Sequence, residues 1–446
     1  MSELPLGWAK SNLSDLANWG AGGTPLRKNL NYYGGNIPWV KTGDLGPRLL
    51  KKASEYITQE GLENSSAKLF LKGSVAMAMY GATIGKTSIF DFDAATNQAC
   101  AVGAPFDGLT TTVFLYYLLL NEKDNFISKG KGGAQPNISQ QIIKEHAVAL
   151  PPLNEQIRIA NKLDQLLAKV DATKAHLDKI PTILKRFRQS VLAAATSGRL
   201  TEEWRGEHSV KYVRLTLGES GIDIKTGPFG SALHKKDYIE NGIPVINPMH
   251  INDGNITPRA AMTISSEKYL SLQAWKLEVG DVVLGRRGEM GRAAEVKNID
   301  NGMLCGTGSM ILRTGTSGLL PAYLCLILRS PTSVYYFESN SVGSTMVNLN
   351  QKIIKSLNIH YPQSGEQIEI VRRVEDLFAI ADIVEKQYKI AKNRVNKLTQ
   401  SILAKAFRGE LVSQDPNDEP AEKLLERILA QRTLQQPAKK TAKKYA

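Results

Sequence analysis

The chain has no run of about 18 apolar residues, the length needed to cross a bilayer as a helix. Its start, Met1 to Lys10, lacks the basic and apolar regions of a secretory signal. A cytoplasmic protein without membrane insertion is the expectation. Cysteine is scarce: Cys100, Cys305 and Cys325 are odd in number and lack metal-ligand spacing. That argues against a disulfide framework and against zinc, and for a reduced cytosolic thiol state. The six histidines include no His-Glu-x-x-His. Gly81-Ala82-Thr83-Ile84-Gly85-Lys86-Thr87 has three residues between its glycines where a phosphate-binding loop needs four. Asn247-Pro248-Met249-His250 begins like the Asn-Pro-Pro-aromatic motif of adenine methyltransferases, but its last two positions do not fit.

Basic charge is plentiful. A net charge of +13 over 446 residues favours a polyanionic partner, because Lys and Arg clusters release counterions from phosphates. The chain also contains itself twice. Asn137, Gln140, Ile142, Ile143 and Lys144 return 211 residues later as Asn348, Gln351, Ile353, Ile354 and Lys355. In the same register Pro151, Glu155, Gln156 and Ile157 return as Pro362, Glu366, Gln367 and Ile368, and the Gln189 to Leu200 segment returns as Gln400 to Leu411. This period far exceeds solenoid repeats of roughly 20 to 50 residues, so it denotes two copies of a domain with its linker and predicts internal pseudo-twofold symmetry. His146 becomes Leu357 in the second copy, and no nucleophile, base and orienter set recurs in both. A binding protein is the favoured class.

Residues 1–152 and 206–363 are rich in Gly, Pro, Asn and short β-prone runs such as Ile37 to Val40 and Asp281 to Leu284. They read as strand-rich domains. Residues 153–205 and 364–412 read as helical. Leu166, Val170, Thr173, Leu177, Ile180, Leu184, Phe187 and Val191 alternate steps of 4 and 3, as do Leu377, Ala381, Val384, Tyr388, Ala391, Val395, Leu398 and Ile402. Two matched heptad stripes predict an antiparallel pair with these residues on its seam. Pro181 predicts a kink or break near Ile180, where the second copy has Lys392, and Gly198 and Gly409 are expected helix ends. Residues 413–446 read as a polar linker, a short amphipathic helix carrying Leu424, Leu425, Ile428 and Leu429, and a basic disordered tail from Gln435.

Pro151-Pro152-Leu153-Asn154-Glu155-Gln156, entering a long helix that ends Gln189 to Leu200, with its second copy ending Gln400 to Leu411, resembles the specificity subunits of type I restriction-modification enzymes. The wording of Leu184 to Gln189 and Val371 to Glu375 is similar to the enterobacterial type IA subgroup. The resemblance implies an α+β protein with two tandem target-recognition domains, joined by two long antiparallel coiled-coil-like helices. Each domain reads one half of an asymmetric bipartite DNA site. The helices set the spacer and dock two modification subunits, which carry S-adenosylmethionine and methylate adenine N6. Two motor-nuclease restriction subunits, using ATP and Mg, complete the assembly, and this chain has no cofactor or catalysis of its own. A stand-alone sequence-specific DNA-binding regulator and a cryptic nucleotide hydrolase resting on Lys86 are the alternatives from other classes.

Basic residues interleaved with Gly and aromatics at turns make the candidate DNA contacts. They are Thr24, Arg27, Tyr32, Tyr33, Lys41, Arg48 and Lys86 in the first domain, and Lys225, His234, Lys235, Lys236, Arg286, Arg287 and Arg292 in the second. Ile157, Ile159, Phe407 and Leu425, off the seam, are the candidate partner-binding residues.

Overall fold

The computed structural model describes residues 4–131, 136–206, 211–229, 231–341 and 348–435. The expectation of a disordered tail falls on residues 436–446, outside the described residues. By contacts the chain divides into two compact units, Met1–His176 with Ala391–Ala446, and Leu177–Ile390. Each strand-rich domain therefore carries helical segments from both copies of the conserved region.

In the first unit, Ala9–Asn12 pairs antiparallel with Ala147–Leu150. A five-stranded sheet runs Ala17–Ala21, Cys100–Pro105, Val75–Ala78, Thr87–Phe90, Leu49–Leu50, and a four-stranded sheet runs Glu55–Ile57, Tyr33–Val40, Ala94–Thr96, Leu69–Phe70. The apolar residues of Val75–Ala78 are buried on both faces, which is why that strand reads as a continuous apolar run rather than an alternating one. The second unit repeats the plan. Val213–Thr216 pairs with Asn358–Tyr361, and Asp223–Thr226, Ser309–Arg313, Val282–Gly285 and Ala293–Glu295 form one sheet. The other contains Tyr238–Ile239, Thr263–Ile264, Ile243–Ile246 and Leu304–Cys305. Both second sheets include one parallel pair, Trp39 beside Ala95 in the first unit and Val245 beside Leu304 in the second.

The repeated Glu-Gln pair explains itself once its bonds are traced. Gln156 Nε2 donates to the carbonyls of Leu109 and Pro151, both at 3.0 Å, and its Oε1 accepts from Thr110. Gln367 does the same, donating to Gly318 and Pro362 at 2.9 Å and accepting from the Leu320 amide. Both side chains are fully buried, and each satisfies three backbone or hydroxyl groups that would otherwise be orphaned where helix meets domain. The neighbouring glutamates are buried too, but their partners differ. Glu155 accepts from Trp8 Nε1 at 3.1 Å, whereas Glu366 Oε1 accepts from Thr201, Arg205 and Tyr212.

Helices span Leu153–Leu177, Ile180–Thr196 and Ser364–Phe407. The break at Asp178 and Lys179 is the one Pro181 predicts, since proline fits the first turn of a new helix but not the interior of an old one. The 44-residue helix of the second copy has Lys392 there and continues. Gly198 and Gly409 sit at φ +80° and +77°, ending their helices in the left-handed region. In the first unit Lys174 Nζ meets Thr399 Oγ1 at 3.4 Å; in the second Arg188 meets Asp382 and, at 3.3 Å, Glu385. A shift of 211 residues turns Lys174 into Glu385 and Thr399 into Arg188. One contact is thus the other with the roles of the two helices exchanged.

The seam is thinner than the heptads imply. Val170, Leu184, Val191, Ala381 and Val395 are buried, and Leu166, Leu177, Leu377, Ala391 and Ile402 are half-buried. Val384 and Leu398 correct the expectation, at 38% and 43% exposed. A straight α-helix drifts about 20° per heptad, so a strict seven-residue stripe rotates away from its partner. Burial shifts instead to Ile159, Leu163, Ile370 and Val374, which enter the domain cores.

Helix Ala421–Gln435 packs on the first unit through Ala421, Leu424 and Leu425, and the Ala421 amide donates to the Gly7 carbonyl at 2.9 Å. Arg158 ties the preceding linker to the Leu153–Leu177 helix through Asp418 at 2.6 Å.

Candidate nucleic-acid interface

Sheet register brings the divergent loops together. In the first unit Ala21 lies opposite Ala101, and Ala78 opposite Cys100. The loops after Ala21 and Ala78 and the loop before Cys100 therefore leave one edge. In the second unit Thr226 lies opposite Met310, and Gly285 opposite Ser309, giving the same edge. At Gly22 a Cβ would lie 2.0 Å from the Thr96 carbonyl, and at Gly227 2.0 Å from the Gly306 carbonyl, so only glycine allows the first loop to cross here. The loop is then pinned by a tryptophan in each unit, taken from unrelated places in the sequence. Trp39 Nε1 donates to Gly23 O at 3.0 Å, and Trp275 Nε1 to Thr226 O at 2.9 Å. Each indole also carries a cation: Arg27 lies 4.9 Å from the Trp39 ring centre and Lys225 5.8 Å from that of Trp275.

The predicted contact residues divide by what holds them. Thr24 donates to Gln98 across this edge. Arg27 stacks on Tyr33 and, with Lys41, flanks Glu55, whose carboxyl the two cations hold below the usual range. The Tyr33 hydroxyl donates to Pro25 O, and Tyr32 is half-buried beside it. Lys86 is exposed after a 3-10 turn over Gly81–Thr83. His234, Lys235 and Lys236 are exposed on the turn before Tyr238, whose hydroxyl lies 3.5 Å from Asn247 Nδ2. Arg286 and Arg287 directly follow the Val282–Gly285 strand at the loop edge.

Two residues change role. Arg48 pairs with Asp164 at 2.8 Å and covers the Tyr117 ring, fastening the domain to the Leu153–Leu177 helix. Arg292 is held by Glu289, the carbonyls of Pro248 and Ile251 and Asn252 Oδ1, clamping the Ile251–Asn252 and Asn255–Ile256 hairpin. Their guanidiniums are occupied inside the protein. The partner-binding set also needs correction: Ile159 is 0% and Leu425 8% exposed, and Phe407 packs its ring 5.5 Å from that of Phe114. These side chains fill the first unit's own core because the helices lie directly on the domain. Ile157 is 42% exposed.

Tyr80, Gln98, Asn247 and Asn348 also lie at these loops, although none is among the contact residues expected from sequence. The duplicated Asn137 and Asn348 were the available signal, since each bridges the loop after the central strand. Asn247-Pro248-Met249-His250 is a turn in which the buried His250 accepts the Asn247 amide through Nδ1 at 3.1 Å. His146 is buried between Glu122 and Lys129, at 2.8 Å from each. Burial pushes the Cys100 thiol up to about 12, and the other two cysteines upward as well. Among the described residues no group of three potential ligands could hold a metal ion, and no helix is long and apolar enough to cross a membrane.

This doubled architecture has known counterparts. The family model described as the type I restriction modification DNA specificity domain matches residues 5–182 and 223–392. The chain belongs to that family. It is 32% identical to the type I restriction enzyme StySPI specificity subunit of Salmonella potsdam, over 100% of this chain and 99% of that one. The EcoBI specificity subunit of Escherichia coli is 38% identical over 69% of each chain. The crystal structure of the HsdS subunit from Thermoanaerobacter tengcongensis shares the fold at a TM-score of 0.57 and 20% identity, covering 92% of this chain and 98% of that one.

Proposed function

We propose that the chain is the DNA sequence-specificity subunit of a type I restriction-modification complex. Each strand-rich domain reads one half of an asymmetric bipartite site through its loop edge, and the helix pair holds the domains and docks the partners. The observation that carries this is the duplicated edge. Its backbone is pinned by matching bonds in both units, yet its side chains differ, with Thr24 and Gln98 in one and Lys225, Arg286 and Arg287 in the other. A constant frame with variable side chains is what reading two different sequences requires.

The chemistry then belongs to partner subunits. Two modification subunits supply S-adenosylmethionine and transfer its methyl group to adenine N6, and two restriction subunits supply ATP-driven, Mg-dependent translocation and cleavage, in the cytoplasm. The docking surface for the modification subunits is the helix face left bare by the seam. Ile183, Ile380, Ile383 and Ile390 are 59%, 56%, 58% and 47% exposed, and helices of a partner would bury them. Methylation-site sequencing of DNA from cells carrying this chain with its modification subunits tests the proposal. Methylated adenines in one split, asymmetric motif are expected; a contiguous or absent motif contradicts it.

A further inference from the structure

Tyr80 and Arg287 stand at one structural position. Each is followed by a glycine in the left-handed region, Gly81 at φ +59° and Gly288 at +78°. Each forms an isolated bridge with the repeated asparagine, Tyr80 with Asn137 and Arg287 with Asn348. The residue before each is locked by two more matched bonds. Met79 N donates to Ala99 O and Met79 O accepts from Ile138 N; Arg286 N donates to Gly308 O and Arg286 O accepts from Leu349 N, all at 2.9 to 3.0 Å. Four backbone features thus coincide where the side chains have nothing in common.

Both side chains are exposed. Successive residues at a strand end face opposite sides. Met79 is accordingly buried and Arg286 turns in to donate through Nε to Asn348 Oδ1 at 3.1 Å, while Tyr80 is 46% exposed and Arg287 is exposed. Among the described residues neither Tyr80 nor Arg287 makes a side-chain hydrogen bond or ion pair. A Cβ added at Gly81 or Gly288 would meet nothing within 4 Å, so the surface beside each is open. Among the described residues neither Arg286 nor Arg287 forms an ion pair with a carboxylate, whereas the neighbouring Arg292 is held by Glu289.

We infer that Tyr80 and Arg287 are the equivalent specificity-determining residues of the two domains, Arg287 taking a guanine through its forked donors and Tyr80 reading a thymine methyl by apolar contact. An arginine fork matches guanine O6 and N7, and an aromatic edge matches the one methyl group in the major groove. The inference rests on the proposed DNA-reading role and adds which position reads in each half.

The test uses the full chain assembled with its modification subunits, with methylation-site sequencing as readout. Arg287→Ala and Arg287→Lys should each relax one G·C position in one half-site, with discrimination there falling about 5- to 150-fold, because lysine keeps the charge but not the fork. The other half-site and the spacing should not change. Tyr80→Arg should alter one position in the opposite half-site only. Unchanged motifs in all three variants, or methylation that falls equally at all sequences as loss of a phosphate contact would produce, overturn the inference while leaving the wild-type split motif intact. A wild-type complex with no split motif would instead remove the DNA-reading role itself. Thermal melting of each variant separates a lost contact from a lost fold, and no shift is expected for these exposed side chains.

Discussion

The two units use the same glutamine and a different glutamate environment. Gln156 and Gln367 make the same three bonds with backbone or hydroxyl groups in each unit, but Glu155 meets one indole while Glu366 meets a guanidinium and two hydroxyls. The chain arrives differently at the two sites. Glu366 receives the continuous linker Arg199–Arg205 with Tyr212, whereas the equivalent place beside Glu155 is made by the first residues of the chain and the segment leading to Ala421. What repeats is what closes backbone groups at the helix start; what varies is the chain that happens to pass by.

That contrast can be broken by mutation. The largest effect should come where one unit has an element the other lacks. Leu424→Asp places an unpaired charge in the first unit's core, so it should cost more than about 4 kcal/mol. Its melting transition should drop while that of the second unit stays, seen as two separated transitions in calorimetry. Next, Gln156→Ala and Gln367→Ala each orphan buried carbonyls and should cost about 2–3 kcal/mol, equal to within about 1 kcal/mol, if the two anchors are the same device. Denaturant melts of the two variants measure this directly.

The glutamates should then differ. Glu366→Gln leaves Arg205, which is mostly buried, without its counter-charge and should cost about 2–3 kcal/mol, against less than about 1 kcal/mol for Glu155→Gln. Burial raises the Glu155 pKa above its ordinary 4.5. Its ionisation therefore works against the fold: the first unit is more stable below pH 4.5 on this account and loses that increment as pH rises through the raised value. Glu155→Gln should abolish that slope in pH-dependent melts. The smallest stability effect belongs to Ile383→Ser and Ile390→Ser, within about 0.5 kcal/mol because both are exposed, although co-purification of the modification subunits should fail.

The duplication, the helical linkers and the break at Pro181 were all legible in the sequence, because a long exact register and a proline each have one physical consequence. The seam was legible only in part. Heptad spacing identifies apolar residues at the right period but not whether they face the other helix or their own domain, which is why Ile159 was misplaced and Val384 and Leu398 lie exposed; Leu425 was misplaced because a short amphipathic helix does not show which surface its apolar face covers. The loop edge was harder still. Arg48 and Arg292 look like DNA-seeking arginines in any basic turn until their partners Asp164 and Glu289, one 116 residues and the other three residues away, are seen. Tyr80 and Arg287 escape alignment at an offset of 211 because the loops between them and the repeated asparagines differ in length.

On the proposed function, two independent readers share one duplicated frame. Replacing Leu217–Leu357 by the corresponding Leu13–His146, between the paired end strands of each domain, gives a chain with two copies of the first reader. Methylation-site sequencing of the assembled complex should then return an inverted repeat of the first half-site in place of the asymmetric motif. A complex that assembles and still methylates the original asymmetric site would contradict the account.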